Sequence, residues 1–105
     1  MASRRAELAR AGLEDAGRAE KLLAELASVD DAVRAPSAED LAQVADPDLA
    51  LLTLARIAAT AAGARGLAGL SADEAAYRRL LAVVGGSAAL GDHLARHPGG
   101  LAALR

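Results

Sequence analysis

Cysteine, phenylalanine and tryptophan are absent from this chain of 105 residues, Tyr77 is its one aromatic side chain, and proline occurs three times. Each absence excludes something. Without cysteine there is no disulfide framework and no thiolate chemistry, which fits a reducing compartment and makes the cytoplasm the expected location. Without aromatics the core has to be filled by aliphatic side chains, and the shortage of residues suited to pleated surfaces argues against strands. What the chain does hold in excess is alanine and leucine, both strong helix formers. The expected fold class is all-α, five to six short helices in an orthogonal or bundle-like arrangement with no sheet. A chain of this length buries roughly 65% of its unfolded surface, enough for one modest core, so residues 1–105 read as a single helical segment.

An excess of one charge sign is missing too. Twelve basic residues stand against 14 acidic ones, a formal net charge of -2, which is no phosphate-seeking surface and argues against nucleic acid as a partner. The N-terminus runs from Met1 through Arg4 and Arg5 straight to Glu7 without the apolar stretch of a secretion signal, so the mature chain is expected to start near Met1. The most apolar stretch, residues 49–64, is interrupted by Arg56 and falls short of the roughly 20 residues that cross a bilayer. It reads as a buried helix, and no membrane association is expected.

Start and stop signals organise the rest. Leu8 and Leu13 sit among charges in a short amphipathic helix over 4–13 that Gly12 ends or bends. Asp15 caps a second helix, whose Ala19, Leu22, Leu23 and Leu26 form one apolar stripe that needs a partner. Residues 28–36 are a connection. Ser37, with Asp40 three positions on, starts a short helix to about Val44. Asp46-Pro47 pairs a capping acid with proline at the first helical position and opens the longest helix, about 47–62. Gly63, Gly66 and Gly69 predict a flexible link. Ser71-Ala72-Asp73-Glu74 reads as a capping box with Ser71 as the cap, followed by the helical spacing of Ala76, Tyr77, Leu80, Leu81 and Val84. Gly85-Gly86 ends that helix, Ser87 caps another to about His97, and Pro98 with two glycines leaves a short tail over 101–105. Residues 25–48 carry seven acids against Arg34 alone, and residues 56–105 carry six arginines against three acids. This predicts a weak attraction between the halves. A solvated face is the plain reading of the acidic run, and a docking surface for a partner is the alternative.

Three clusters invite chemistry. His93 and His97 lie four apart on one helical face, a spacing that serves metals, but Leu94 stands where zinc hydrolases need a glutamate and two ligands do not complete a site. Gly85-Gly86-Ser87 precedes a helix, as phosphate loops do, without the preceding strand or the lysine. Asp46 and Asp48 have the composition of a magnesium-holding pair, yet a helix start explains both acids and the proline between them. The histidines share one helix and the serines serve as caps, so no nucleophilic triad can be assembled.

Residues 77–98 carry the most specific signal. A helix closes in Leu81-Ala82-Val83-Val84-Gly85-Gly86-Ser87 and leads into Leu90-Gly91-Asp92-His93-Leu94-Ala95-Arg96-His97-Pro98. This resembles the N-terminal region of the bifunctional glutamine synthetase adenylyltransferase/adenylyl-removing enzymes, of the actinobacterial type. There a Leu-x-Val-hydrophobic-Gly-x-Ser turn leads into a Leu-Gly-Asp-His-Leu-x-x-His-Pro helix ahead of the first nucleotidyltransferase core. Looser similarity runs upstream through Arg10-Ala11-Gly12-Leu13, the 19–26 helix and Ala45-Asp46-Pro47-Asp48-Leu49-Ala50-Leu51, so nearly all 105 residues are covered. Leu101 departs from the aromatic residue that the family commonly shows after His-Pro.

The resemblance implies transfer of AMP from ATP to a tyrosine of glutamine synthetase and its removal, with magnesium, under control of a PII signalling protein. It implies no catalytic, cofactor-binding or metal-binding residue in this segment. The family's Gly-Ser turn followed by an Asp-x-Asp pair on a strand is expected beyond Arg105; Gly86-Ser87 is followed only by Asp92, and Asp46 and Asp48 precede it. The segment is therefore expected to be an inactive scaffold that packs against the deadenylylating domain. The alternative is a free-standing helical module that binds a protein partner without catalysis.

Overall fold

The computed structural model describes residues 3–105, so the expected start of the chain near Met1 lies outside the described residues. Seven α-helices are present: α1 (Arg4–Arg10), α2 (Ala16–Val29), α3 (Ala38–Ala42), α4 (Pro47–Ala58), α5 (Ala61–Ser71), α6 (Glu74–Gly86) and α7 (Ala88–Arg96). A 3-10 helix over Pro98–Leu104 follows, and no strand occurs among the described residues. The all-α expectation holds. The radius of gyration, 12.6 Å, matches the roughly 13 Å of a compact chain this long.

Local sequence accounts for where the helices begin. Each α-helix starts at a side-chain cap: Ser3, Asp15, Ser37, Asp46, Thr60, Asp73 and Ser87 each accept a backbone N–H of the first turn. At Ser37 the box is reciprocal, since the Ser37 N–H donates to the Asp40 carboxylate at 3.0 Å while the Asp40 N–H donates to the Ser37 hydroxyl at 3.0 Å. A cap of this kind stabilises a helix by about 1 kcal/mol. All seven helices have 14 residues or fewer and would be marginal alone, so caps and packing together hold them.

The helix count exceeds expectation for two reasons. Thr60 caps a new helix where one long helix was expected to continue, and the glycine-marked stretch 63–69 lies inside α5 instead of forming a flexible link. The glycines there are contact points. An ideal Cβ on Gly63 would collide with the carbonyl of Ile57, and one on Gly66 would lie 2.6 Å from Leu101 Cδ1. Glycine's helix penalty of about 1 kcal/mol relative to alanine is thus offset by the close seating of α5 on the end of α4 and on the 3-10 helix. Likewise the tail at 101–105 is ordered, because Leu101 is buried beneath α5. Among the described residues Gly12 alone takes a positive φ, 106°, and it turns the chain between α1 and α2.

The central element is α4. Its Ala50, Leu51, Leu54 and Ile57 are buried, and it packs against α2, α6, α7, α5 and α3. The stripe foreseen on α2 finds its partner there: Ala19, Leu23 and Leu26 are buried, while Leu22 is half-buried. One cluster of aliphatic residues and Tyr77 makes the core.

Tyr77 is buried on α6, and its hydroxyl donates to the Arg34 carbonyl at 2.9 Å, in the connection between α2 and α3. The Arg34 guanidinium lies 4.4 Å from the Tyr77 ring centroid. It also donates to Glu74 at 2.6 Å and to Asp40 at 3.0 Å, while its backbone N–H donates to Ser71 Oγ at 2.9 Å. Ser71, expected as the cap of α6, instead closes α5 by donating to the Leu67 carbonyl, and Asp73 supplies the cap. Burial pushes the Tyr77 hydroxyl above its ordinary range, so it stays a donor. The hydrogen bond to Glu74 is the main cause that raises Arg34 still further. Burial alone would raise Asp40, but the Ser37 hydrogen bonds and Arg34 outweigh it and hold this carboxyl below its ordinary value.

Tyr77→Phe removes the buried donor and leaves the Arg34 carbonyl without it, so the urea midpoint should fall by the equivalent of about 1–2 kcal/mol with the m-value unchanged. A depressed folded-state pKa contributes stability that is complete above the unfolded-state value and is lost as pH falls through the folded one. Stability should therefore drop below about pH 4, and the drop should be shallower in Asp40→Asn, as read from urea midpoints across an acid titration.

Candidate functional site

The polar clusters singled out in the sequence fall in three places, and the structure does not bring them together. Asp46 and Asp48 stand at the start of α4. Asp46 Oδ1 accepts the Leu49 N–H at 3.0 Å, and the Asp46 N–H donates to the Gly85 carbonyl at 2.8 Å, tying α4 to the end of α6. Asp48 reaches across to the turn before α2 and accepts the Glu14 N–H at 2.9 Å, with the Asp15 N–H at 3.5 Å on its other oxygen. Both carboxylates thus hold backbone donors at the origins of two helices.

Gly85 and Gly86 form the last residues of α6, and Ser87 ends α6 while capping α7 through Leu90 N–H at 3.1 Å. Its hydroxyl is thus engaged by the first turn of its own helix. On α7 the motif Leu90-Gly91-Asp92-His93-Leu94 divides by face. Gly91 and Leu94 are buried, Gly91 against Thr53 of α4. Asp92 accepts from Arg56 at 2.8 Å and pairs with Arg96 at 3.1 Å. The Arg56 hydrogen bond is the main cause that lowers its pKa. His93 and His97 are exposed, with ring centroids 4.9 Å apart and planes tilted by 43°. Among the described residues no three histidine or acidic side chains converge as a metal shell would require.

The ion pairs correct the expected attraction between an acidic and a basic half. Among the described residues the pair that links the halves is Arg34 with Glu74, the reverse of the signs expected, because the lone cation of the acidic stretch is the one drawn into the core's edge. Arg56–Asp92 and Arg96–Asp92 stay within the basic half.

A cleft of about 580 Å³ opens between α2 and α4. Leu22 of α2 and Leu49 and Leu52 of α4 line it, and Glu14, Asp15, Asp46 and Asp48 stand at the end where the two helices begin, with Arg18. No sequence signal announced it, because its two walls are 30 residues apart in the chain. A pattern of leucines one or two turns after a cluster of acids, repeated in two helices, was the trace available.

Fold and inventory define an all-α, tightly capped unit whose polar motifs are spent largely on its own helix ends and crossings. The chain is similar to a region of the bifunctional glutamine synthetase adenylyltransferase/adenylyl-removing enzyme of Streptomyces avermitilis, 45% identical over an alignment of 96 residues that covers 87% of this chain and 10% of that protein. The chain thus spans about a tenth of the length of that curated relative, and the resemblance read from residues 77–98 and their upstream companions is upheld. No family model and no solved structure matches. Among the described residues no helix is long and apolar enough to cross a membrane.

If Asp46 serves the helix start, Asp46→Ala should cost about 1 kcal/mol and Asp46→Asn only a few tenths, because asparagine caps nearly as well. Added magnesium should leave the thermal midpoints of all three proteins where they were, measured by circular dichroism.

Proposed function

We propose that this chain is the N-terminal helical segment of an enzyme that attaches AMP to glutamine synthetase and removes it, and that the segment is a scaffold without an active site of its own. The observation that carries the reading is the 45% identity to a region of the Streptomyces enzyme. The spending of Asp46, Asp48 and Ser87 on helix caps and of Asp92 on Arg56 supports the second half of the reading. Transfer of AMP to a tyrosine needs carboxylates free to hold magnesium and nucleotide phosphates, and those of α4 already face backbone donors. ATP and magnesium belong, in this reading, to a nucleotidyltransferase domain outside the 105 residues. Glutamine synthetase and a PII signalling protein are the partners of the whole enzyme, in the cytoplasm, and the segment's task is to pack against the deadenylylating domain.

The first test is to read the coding sequence past the codon for Arg105. A Gly-Ser turn followed by an Asp-x-Asp pair supports the proposal; a stop codon overturns it in favour of a free-standing interaction module. In parallel, the isolated chain should neither transfer AMP from ATP to glutamine synthetase nor release it from the adenylylated form, followed by radiolabelled nucleotide. Turnover by the isolated chain would refute the scaffold reading.

A further inference from the structure

The cleft between α2 and α4 gathers four carboxylates, three of which hold backbone donors at helix origins, beside three leucines that are not fully buried. Asp48 meets the turn at Glu14 and Asp15, while Glu25, Leu26 and Val29 line a small groove with Ala55, Ala58 and Ala59. The two helices therefore run side by side in the same direction with their N-termini together. Each N-terminus carries about half a positive charge. Four carboxylates against Arg18 and these two half-charges leave the mouth of the cleft with a net charge of about -2. The helix dipoles thus account for only part of the acid placed there. One turn beyond Asp48, Leu52 stays 38% exposed, although its neighbours Leu51 and Leu54 are buried, and Leu22 and Leu49 beside it are only half-buried.

We infer that this cleft is a docking groove for a basic amphipathic helix of a partner protein, leucines seated on Leu22, Leu49 and Leu52 and arginines or lysines at the acidic mouth. The charge complementarity chooses the sign of the occupant. The separation of acids at one end from leucines a turn or two along chooses an amphipathic helix over a small cation, which would use the mouth alone. An acidic partner would meet like charge with only Arg18 to offset it. The inference does not rest on the enzyme reading, since the groove is formed wholly within these 105 residues.

The test uses the 105-residue chain and a labelled, amidated helical peptide of leucine and arginine, with a leucine and glutamate peptide as control, followed by fluorescence anisotropy. The expected result is saturable binding of the arginine peptide only, weakened by salt and by about tenfold or more in Leu52→Glu and in Glu14→Lys. Glu14 donates only its backbone N–H to the fold, so Glu14→Lys tests the acidic mouth without disturbing a side-chain contact, and Leu52→Ala takes the place of Leu52→Glu as the test of the leucines if the latter unfolds; circular dichroism monitors all three. Equal binding of the two peptides, or binding that both variants retain, overturns the proposal. Loss in Glu14→Lys with full binding by a folded Leu52→Glu also overturns it, by reducing the attraction to surface charge. Self-association of the protein that Leu52→Glu abolishes assigns the groove to a second copy and overturns it as well.

Discussion

The contact on which the arrangement depends is the one between Tyr77 and the segment around Arg34. Residues 30–37 contain one hydrogen-bonded turn, closed by the Val33 N–H on the Asp30 carbonyl, and neither helix nor strand, and a connection of this kind usually lies loosely on the surface. Here the chain's one aromatic ring supplies a large buried face and a hydroxyl at its edge. The hydroxyl takes the Arg34 carbonyl, the ring carries the guanidinium, and Ser71 takes the Arg34 N–H. The backbone of one loop residue is thus satisfied from two helices distant in sequence. The guanidinium then reaches Asp40 at the start of α3 and Glu74 in the first turn of α6. A half-exposed ion pair alone contributes little. The value of this one is geometric, because it joins the capping box of α3 to α6 and closes the core around Val33 and Pro36, both buried.

How much of this was legible follows from the range of the interactions. Helix starts depend on four consecutive residues, and Asp15, Ser37, Asp46 and Ser87 were all readable as caps. Ser71 was misread because its local pattern, with Glu74 three residues on, is sound as a capping box, while its hydroxyl is claimed by the Leu67 carbonyl and by Arg34, 37 positions away in sequence. Three glycines at 63, 66 and 69 read as a flexible link because propensity counts only what glycine costs a helix. What it permits, the seating of Leu101 against Gly66, is set by a residue 35 positions downstream. The same long-range logic turned the expected tail into a 3-10 helix.

The candidate chemistry was legible chiefly as exclusion. Asp46, Asp48, Ser87 and Asp92 are residue types that catalysis uses, and each is held to a backbone donor or an arginine that the fold supplies. Composition had already removed thiolate chemistry. The resemblance lay in a string whose buried members, Gly91 and Leu94, pack toward the core, whereas His93 and His97 lie outside it. Identity at the buried members is what shared packing requires, whatever chemistry a protein performs elsewhere.

Parallel neighbours are an electrically awkward choice for two helices, since their like ends repel. In α2 and α4 the awkwardness is met by a carboxylate from one helix on the N–H groups leading into the other, Asp48 on Glu14 and Asp15, in addition to each helix's own cap. This arrangement fixes the spacing of the two N-termini, and that spacing determines the cleft downstream. Leu23 and Leu26 are buried where α2 meets α4, while Leu22, Leu49 and Leu52 line the cleft and are not. The leucines on its walls are thus left partly exposed by a constraint located a turn away, in the same carboxylates that give the mouth its charge.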